Sequence, residues 1–199
     1  MLLKDLADYK IVLASLSPRR QELLSQLGIV FSVCDSHTNE INPKGLSVYE
    51  TVQYLAQQKA EIVFKSYKKQ QNVIVIAGDT IVSIDGEIMG KPKDRKDACR
   101  MLRKLSGKKH LVLSGVSVVA YKKTLTRYDE AWVTFDDLTD EEIVYYVDKY
   151  MPYDKAGAYG IQEWIGCRAV SKIEGSFFTI MGFPTHLIWK ILEEIIAKK

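Results

Sequence analysis

Cysteine and histidine are both scarce, three of each in 199 residues, and their scarcity narrows the chemistry open to this chain. Cys34, Cys99 and Cys167 are odd in number, far apart and in no metal-ligand spacing. They argue against a disulfide framework, point to a reducing compartment, and read as small buried apolar residues. His37, His110 and His186 have no partner spacing, so neither a histidine-based triad nor a zinc site is expected. No G-x-x-x-x-G-K-S/T loop, G-x-G-x-x-G turn or H-E-x-x-H pair occurs. No uncharged stretch reaches membrane-spanning length. The N-terminus, with Lys4 and Asp5 after two leucines, lacks a signal-peptide apolar core, so a cytoplasmic protein is expected. An excess of one charge is missing too. Against 25 acidic residues stand 28 Lys and Arg, a net charge of +3, with no basic, aromatic-rich stripe. Nucleic acid and membrane are therefore not expected partners, whereas a locally basic cleft for an anionic substrate is compatible.

What is present describes an ordinary globular protein, 47% hydrophobic and 27% charged, sized for one large domain or two small lobes. Ile11 to Ala14 reads as a buried strand. Pro18 to Leu27 reads as a helix with Ser17 at its N-cap, Leu23, Leu24 and Leu27 on one face, and Gly28 closing it. Val30 to Val33 is a second short strand. Ser47 to Glu50 has capping-box spacing and opens a helix to about Phe64, with Lys59 on or beside its apolar stripe. Val73 to Ala77 is a β-branched run expected to be covered on both faces. Ile81 to Met89 reads as a hairpin turning at Asp85-Gly86. A helix capped by Asp94 follows, then two long strands, a helix opened by the capping box of Thr139 and Glu142, an extended stretch from Gly166 to Ile173, and a last helix capped by Thr185. The uneven alternation, hairpins included, predicts a mixed α/β sheet.

Four polar groups sit where a core would not choose them. In Ser15-Leu16-Ser17-Pro18-Arg19-Arg20, a helix N-terminus, two hydroxyls and two guanidinium groups converge on an anion site, phosphate being the natural occupant. Gly78-Asp79-Thr80 follows the apolar run, placing a carboxylate at the mouth of a buried strand. Gly90-Lys91-Pro92 holds a lysine that suits a phosphate as a point charge. Asp154 to Gln162 carries small residues and two glycines that admit a ligand close to the backbone, with Lys155 and Gln162 at its ends. Each alone also fits a bland role: a capped helix with solvated arginines, a turn aspartate, a solvated lysine. Glu40 and Lys59 are weaker singly, Glu40 standing as a second carboxylate for a divalent cation. Carboxylates, lysines, arginines and backbone amides suit phosphate-anhydride chemistry, which needs positioning and charge neutralisation but no protein nucleophile.

Taken together, S-x-S-P-R-R, A-x-x-K-A at Ala56 to Ala60, G-D-T at Gly78 to Thr80, G-K-P at Gly90 to Pro92 and D-K-A-G-A-Y-G-I-Q at Asp154 to Gln162 resemble the Maf family of nucleoside triphosphate pyrophosphatases. The likeness runs in the family's order from Leu13 to the final helix, as a single domain over residues 1–199. It implies an elongated mixed sheet flanked by helices, inosine-triphosphatase-like, in two lobes with a cleft between them, and a homodimer. The implied reaction is hydrolysis of a nucleoside triphosphate to monophosphate and pyrophosphate with Mg²⁺ or Mn²⁺. Asp79 matches the family's proton acceptor. Arg19, Thr80 and Gln162 match its base-selecting positions, in the form of the subgroup acting on dTTP and UTP. An amide such as Gln162 offers a donor and an acceptor to the N3–H and O4 edge that thymine and uracil share. Departures are Ser114-Gly115-Val116, Lys149 to Pro152, and Gly182-Phe183-Pro184 with Thr179 to Met181 before it.

The roles expected are then these. Arg19, Arg20, Lys59 and Lys91 hold the triphosphate, with Ser15 and Ser17 donating hydrogen bonds. Glu40 and Asp79 hold or flank the cation, and Asp79 orients or deprotonates the attacking water. Thr80, Lys155 and Gln162 contact the substrate. Two other readings stand beside this one: a pyrophosphatase for modified nucleotides, such as 7-methyl-GTP or modified pyrimidines, and a nucleotide-binding regulator of septum formation.

Overall fold

A computed structural model describes residues 1–38 and 45–197. In chain order its elements are α1 (Leu2–Asp5), β1 (Lys10–Leu13), α2 (Pro18–Gln26), β2 (Ser32–Val33), α3 (Val48–Phe64), β3 (Val73–Ile84), β4 (Glu87–Met89) and α4 (Arg95–Leu105). There follow β5 (Lys109–Ala120), β6 (Lys123–Phe135), α5 (Asp140–Tyr150), α6 (Trp164–Ala169), β7 (Val170–Gly175), α7 (Phe177–Ile180) and α8 (Thr185–Ile196). The strands form a seven-stranded sheet in the order β2-β1-β3-β5-β6-β7, with β4 paired to β3 off that path. β1 runs parallel to β2 and β3, whereas β4 on β3 and β7 on β6 are antiparallel. The fold is a mixed α/β sheet flanked by helices, as the uneven alternation of elements predicts.

The chain divides into two compact units. One comprises Met1–Asp79, Ser114–Asp129 and Gly182–Lys199; the other comprises Thr80–Leu113 and Glu130–Met181. Each has its own core. In the first, Ala60 and Val63 of α3 pack with Val12, Val75, Ala77 and Val119. Every residue from Val73 to Ala77 is buried, and each such Val or Ile contributes roughly 1.5–3 kcal/mol over leaving it exposed. In the second, Leu102 and Leu105 of α4, Phe135 of β6, and Ile143 and Tyr146 of α5 are among the buried residues of the larger core. Among the described residues no helix is long and apolar enough to cross a membrane.

Local signals set several of these elements. Ser47 and Thr139 both close full capping boxes, with Glu50 and Glu142, and Asp94 accepts from the Asp97 N–H at the start of α4. Other expectations fail for identifiable reasons. β3 does not stop at Ala77 but runs unbroken through Gly78, Asp79 and Thr80 into the hairpin, because pairing with neighbouring strands outweighs the weak strand preference of Gly and Asp. Ser17 stands at the N-cap of α2 without a side-chain cap bond. Thr185 is the first residue of α8 instead of its cap, which is Pro184. The expected extended stretch from Gly166 begins as helix α6, and the strand starts only at Val170. The second strand is confined to Ser32–Val33. Of the cysteines only Cys99 is buried; Cys34 is half-buried and Cys167 exposed.

Candidate active site

In the first unit, β1 delivers the chain into the Ser15–Arg20 turn. Ser15 is buried, and its hydroxyl accepts from the Ser17 N–H at 3.3 Å and from Arg20 Nη1 at 3.4 Å. Arg20 Nε donates to the Gly182 carbonyl at 3.0 Å. The expected hydroxyl-and-guanidinium turn is thus internally braced, with Arg20 tied both to its own turn and to the segment before α8. Pro18 takes the first helical position of α2, where its missing N–H leaves nothing unpaired. Ser17 and Arg19 are half-buried.

Asp79 lies in the interior of β3 and Lys59 on α3, and Lys59 Nζ donates to Asp79 Oδ1 at 2.6 Å. Their side chains are only 8% and 10% exposed. Two glycines permit this approach. A Cβ on Gly115 would lie 2.4 Å from the carbonyl oxygen of Val52, so β5 touches the α3 backbone where only hydrogen fits. A Cβ on Gly78 would lie 3.1 Å from the Phe183 ring and 3.2 Å from the Gly115 carbonyl. Gly115, Gly78 and Phe183 all fall in segments where the sequence shows motifs or departures, and packing is their evident work. Stripping water from two opposite charges is expensive, and their attraction offsets that only with close geometry. A hydrophobic pair would hold α3 on β3 at least as well.

In the second unit, the Gly90-Lys91-Pro92 turn meets the loop at Asp154 to Gln162 through a Gly157 N–H bond to the Gly90 carbonyl at 3.1 Å. Gly157 has φ +70°, and a Cβ there would lie 3.1–3.2 Å from the Val82 side chain, so close approach and backbone both demand glycine. Lys91 and Gln162 are exposed, Thr80 is half-buried, and Lys155 is buried. Lys155 Nζ pairs with Asp154 Oδ1 at 2.8 Å and with Glu163 Oε1 at 3.2 Å. Glu163 is not among the residues that the sequence reading singles out. Its one available clue is that it directly follows the glycine-rich motif.

Glu40 lies outside the described residues. Among those described, no group of three His, Cys, Asp or Glu is placed to hold a metal ion. Asp79 is the expected metal-site carboxylate that remains. A small divalent cation needs only one or two protein carboxylates when substrate phosphates and waters complete its shell. The donor set therefore fits a cation that arrives with a polyphosphate.

Comparison with known proteins adds the following. The family model described as Maf-like protein matches residues 10–195. A dTTP/UTP pyrophosphatase of Porphyromonas gingivalis is 47% identical over 194 residues, 97% of this chain and 98% of that protein. A dTTP/UTP pyrophosphatase of Bacteroides thetaiotaomicron is 44% identical over 197 residues, 98% of this chain and all of that protein. A nucleoside-triphosphatase, dITP/XTP pyrophosphatase, of known structure from Mycobacterium abscessus aligns at a TM-score of 0.46 and 12% identity, covering 94% of this chain and 96% of that one.

Proposed function

The chain belongs to the Maf-like protein family, and from that premise we propose that it hydrolyses dTTP and UTP to the monophosphate and pyrophosphate. The observation that carries the reading is the buried Lys59–Asp79 pair at 2.6 Å, a charge pair that packing alone does not require. It is supported by full-length relatives that are dTTP/UTP pyrophosphatases.

In the mechanism we propose, Arg19, Arg20, Lys59 and Lys91 neutralise the triphosphate, and Ser15 and Ser17 donate hydrogen bonds to it. Arg20 enters the reaction already oriented by Gly182 and Ser15. The substrate is thereby held for in-line attack without reorganising the protein at the moment of reaction. Lys59 fixes Oδ1 of Asp79, and the carboxylate takes a proton from the attacking water. The water oxygen bonds to the α-phosphorus, the bond from that phosphorus to the bridging oxygen breaks, and pyrophosphate departs with the electron pair. Asp79, joined by Glu40, would hold Mg²⁺ or Mn²⁺, which when bound neutralises phosphate charge. Arg19, Thr80 and Gln162 select the base, and Lys155 belongs to the same substrate loop. Thymine and uracil share the edge that Gln162 reads, and a single methyl discriminates weakly, so one site serves both.

The same reading places the enzyme in the cytoplasm as a homodimer guarding the nucleotide pool; mass in solution checks the dimer. The activity itself is tested by pyrophosphate release from dTTP, UTP, CTP, GTP and 7-methyl-GTP with Mg²⁺ or Mn²⁺. The first two should lead. A preference for 7-methyl-GTP would overturn the substrate assignment, and binding without turnover would favour a sensor.

A further inference from the structure

Glu163 has no part in the reaction as drawn, yet its carboxylate ties together the loop that carries Gln162. Oε1 lies 3.2 Å from Lys155 Nζ. Oε2 accepts from the Tyr146 hydroxyl, and that hydroxyl in turn accepts from the Gly160 N–H at 3.0 Å. One carboxylate therefore holds the loop at two points, Lys155 and Gly160, on either side of the turn at Gly157 and Ala158. The Lys155 and Glu163 side chains are 9% and 18% exposed, so both bonds are sheltered from competing water. Gly160 is fitted to this arrangement: a Cβ there would lie 2.9 Å from the carboxyl carbon of Glu163. The anchor is rigid as well. Tyr146 is fully buried on α5, in the same core as Ile143 and Val147.

The charge balance at Lys155 points the same way. Its ammonium stands between Asp154 and Glu163, two carboxylates against one cation. A lysine so placed has its charge answered within its own loop and offers little to a triphosphate.

We propose that Glu163 and Tyr146 are positioning residues that set base selectivity by fixing the loop from Lys155 to Gln162. Lys155 serves as the inner half of this clamp and not as a phosphate ligand. The proposal rests on the reading of Gln162 as the base-selecting side chain. Gln162 directly precedes Glu163 in the chain, so a displaced Glu163 backbone displaces the amide that reads the base. Misplacement by about 1 Å is enough to cost on the order of 10²-fold in a positioned reaction.

The experiment compares wild type with Glu163→Gln, Tyr146→Phe and Lys155→Met for kcat and KM on dTTP, UTP, CTP and GTP. Thermal midpoints and hydrogen exchange at the Gly160 amide are measured without nucleotide. In all three variants the ratio of kcat/KM for dTTP over CTP should shrink, by about 10- to 100-fold. In Glu163→Gln and Tyr146→Phe the Gly160 amide should exchange faster. Selectivity ratios equal to wild type in the folded Glu163→Gln and Tyr146→Phe variants would overturn the proposal. So would a Lys155→Met variant whose KM rises equally for all four nucleotides, the mark of a phosphate ligand. If Glu163→Gln fails to fold, Tyr146→Phe, which deletes one hydroxyl, decides alone. Ratios are read against wild type, so a wild type preferring another nucleotide overturns the substrate reading, whereas unmoved ratios overturn this one.

Discussion

Lys59 and Asp79, twenty positions apart in sequence, meet at 2.6 Å between α3 and the middle of β3, both buried. The helix reaches the strand because Gly115 leaves no side chain in the way. One ion pair thus joins the packing of the first unit to the chemistry proposed for it.

Asp79→Asn should lower kcat by about 10²- to 10⁴-fold, the usual worth of a general base. It also removes the Asp79 charge from beside the buried Lys59, which lowers stability. The double variant Lys59→Met with Asp79→Asn should recover much of that stability and none of the turnover. Urea unfolding alongside steady-state kinetics separates the two effects. Recovery of both together would mean the pair is only structural.

Gly115→Ala tests the packing that brings the pair together. The added Cβ meets the backbone of Val52, which cannot rotate aside, so α3 must shift. A loss of about 1–3 kcal/mol is expected, together with a fall in kcat as Lys59 moves off Asp79. Unchanged kinetics with reduced stability would show that the site tolerates the shift.

His110 makes stability depend on pH. It is buried, with Nε2 2.8 Å from the Tyr159 hydroxyl. Burial lowers its pKa to about 4, offset in part by the Lys108 backbone. Between that value and the ordinary 6.5 the unfolded chain binds the extra proton, so stability rises with pH across this window and falls on acidification through it. The contribution present at neutral pH is roughly 3 kcal/mol. Urea midpoints at pH 5 and pH 7 should differ, and His110→Gln should flatten the difference. An equal slope in that variant would assign the dependence to other groups.

Removing divalent cations should abolish turnover and leave the thermal midpoint nearly unchanged, since among the described residues no all-protein cage is present to be emptied. Activity should return with Mg²⁺ or Mn²⁺. A large drop in midpoint with chelator alone would reveal a resident structural metal instead.

Much of the fold is written locally. The capping boxes at Ser47 and Thr139 and the Asp94 cap rest on residues three apart, and the sequence displays them directly. Lys59 could be placed on the apolar stripe of α3 for the same reason. What depends on partners distant in sequence was not legible. β3 continues through Asp79 because neighbouring strands pair with it, which moves the carboxylate from a strand mouth to a strand interior. Ser17 has capping chemistry but no cap bond, and its N–H turns instead to Ser15. Glu163 does not stand out in the sequence because nothing in its neighbourhood announces Tyr146, seventeen positions earlier.

The central claim is attack of water on the α-phosphorus of dTTP and UTP, and it is tested by hydrolysis in water labelled with heavy oxygen. Mass analysis of the products should find the label in the nucleoside monophosphate and unlabelled pyrophosphate beside it. Label in pyrophosphate, or release of orthophosphate in its place, would contradict the account.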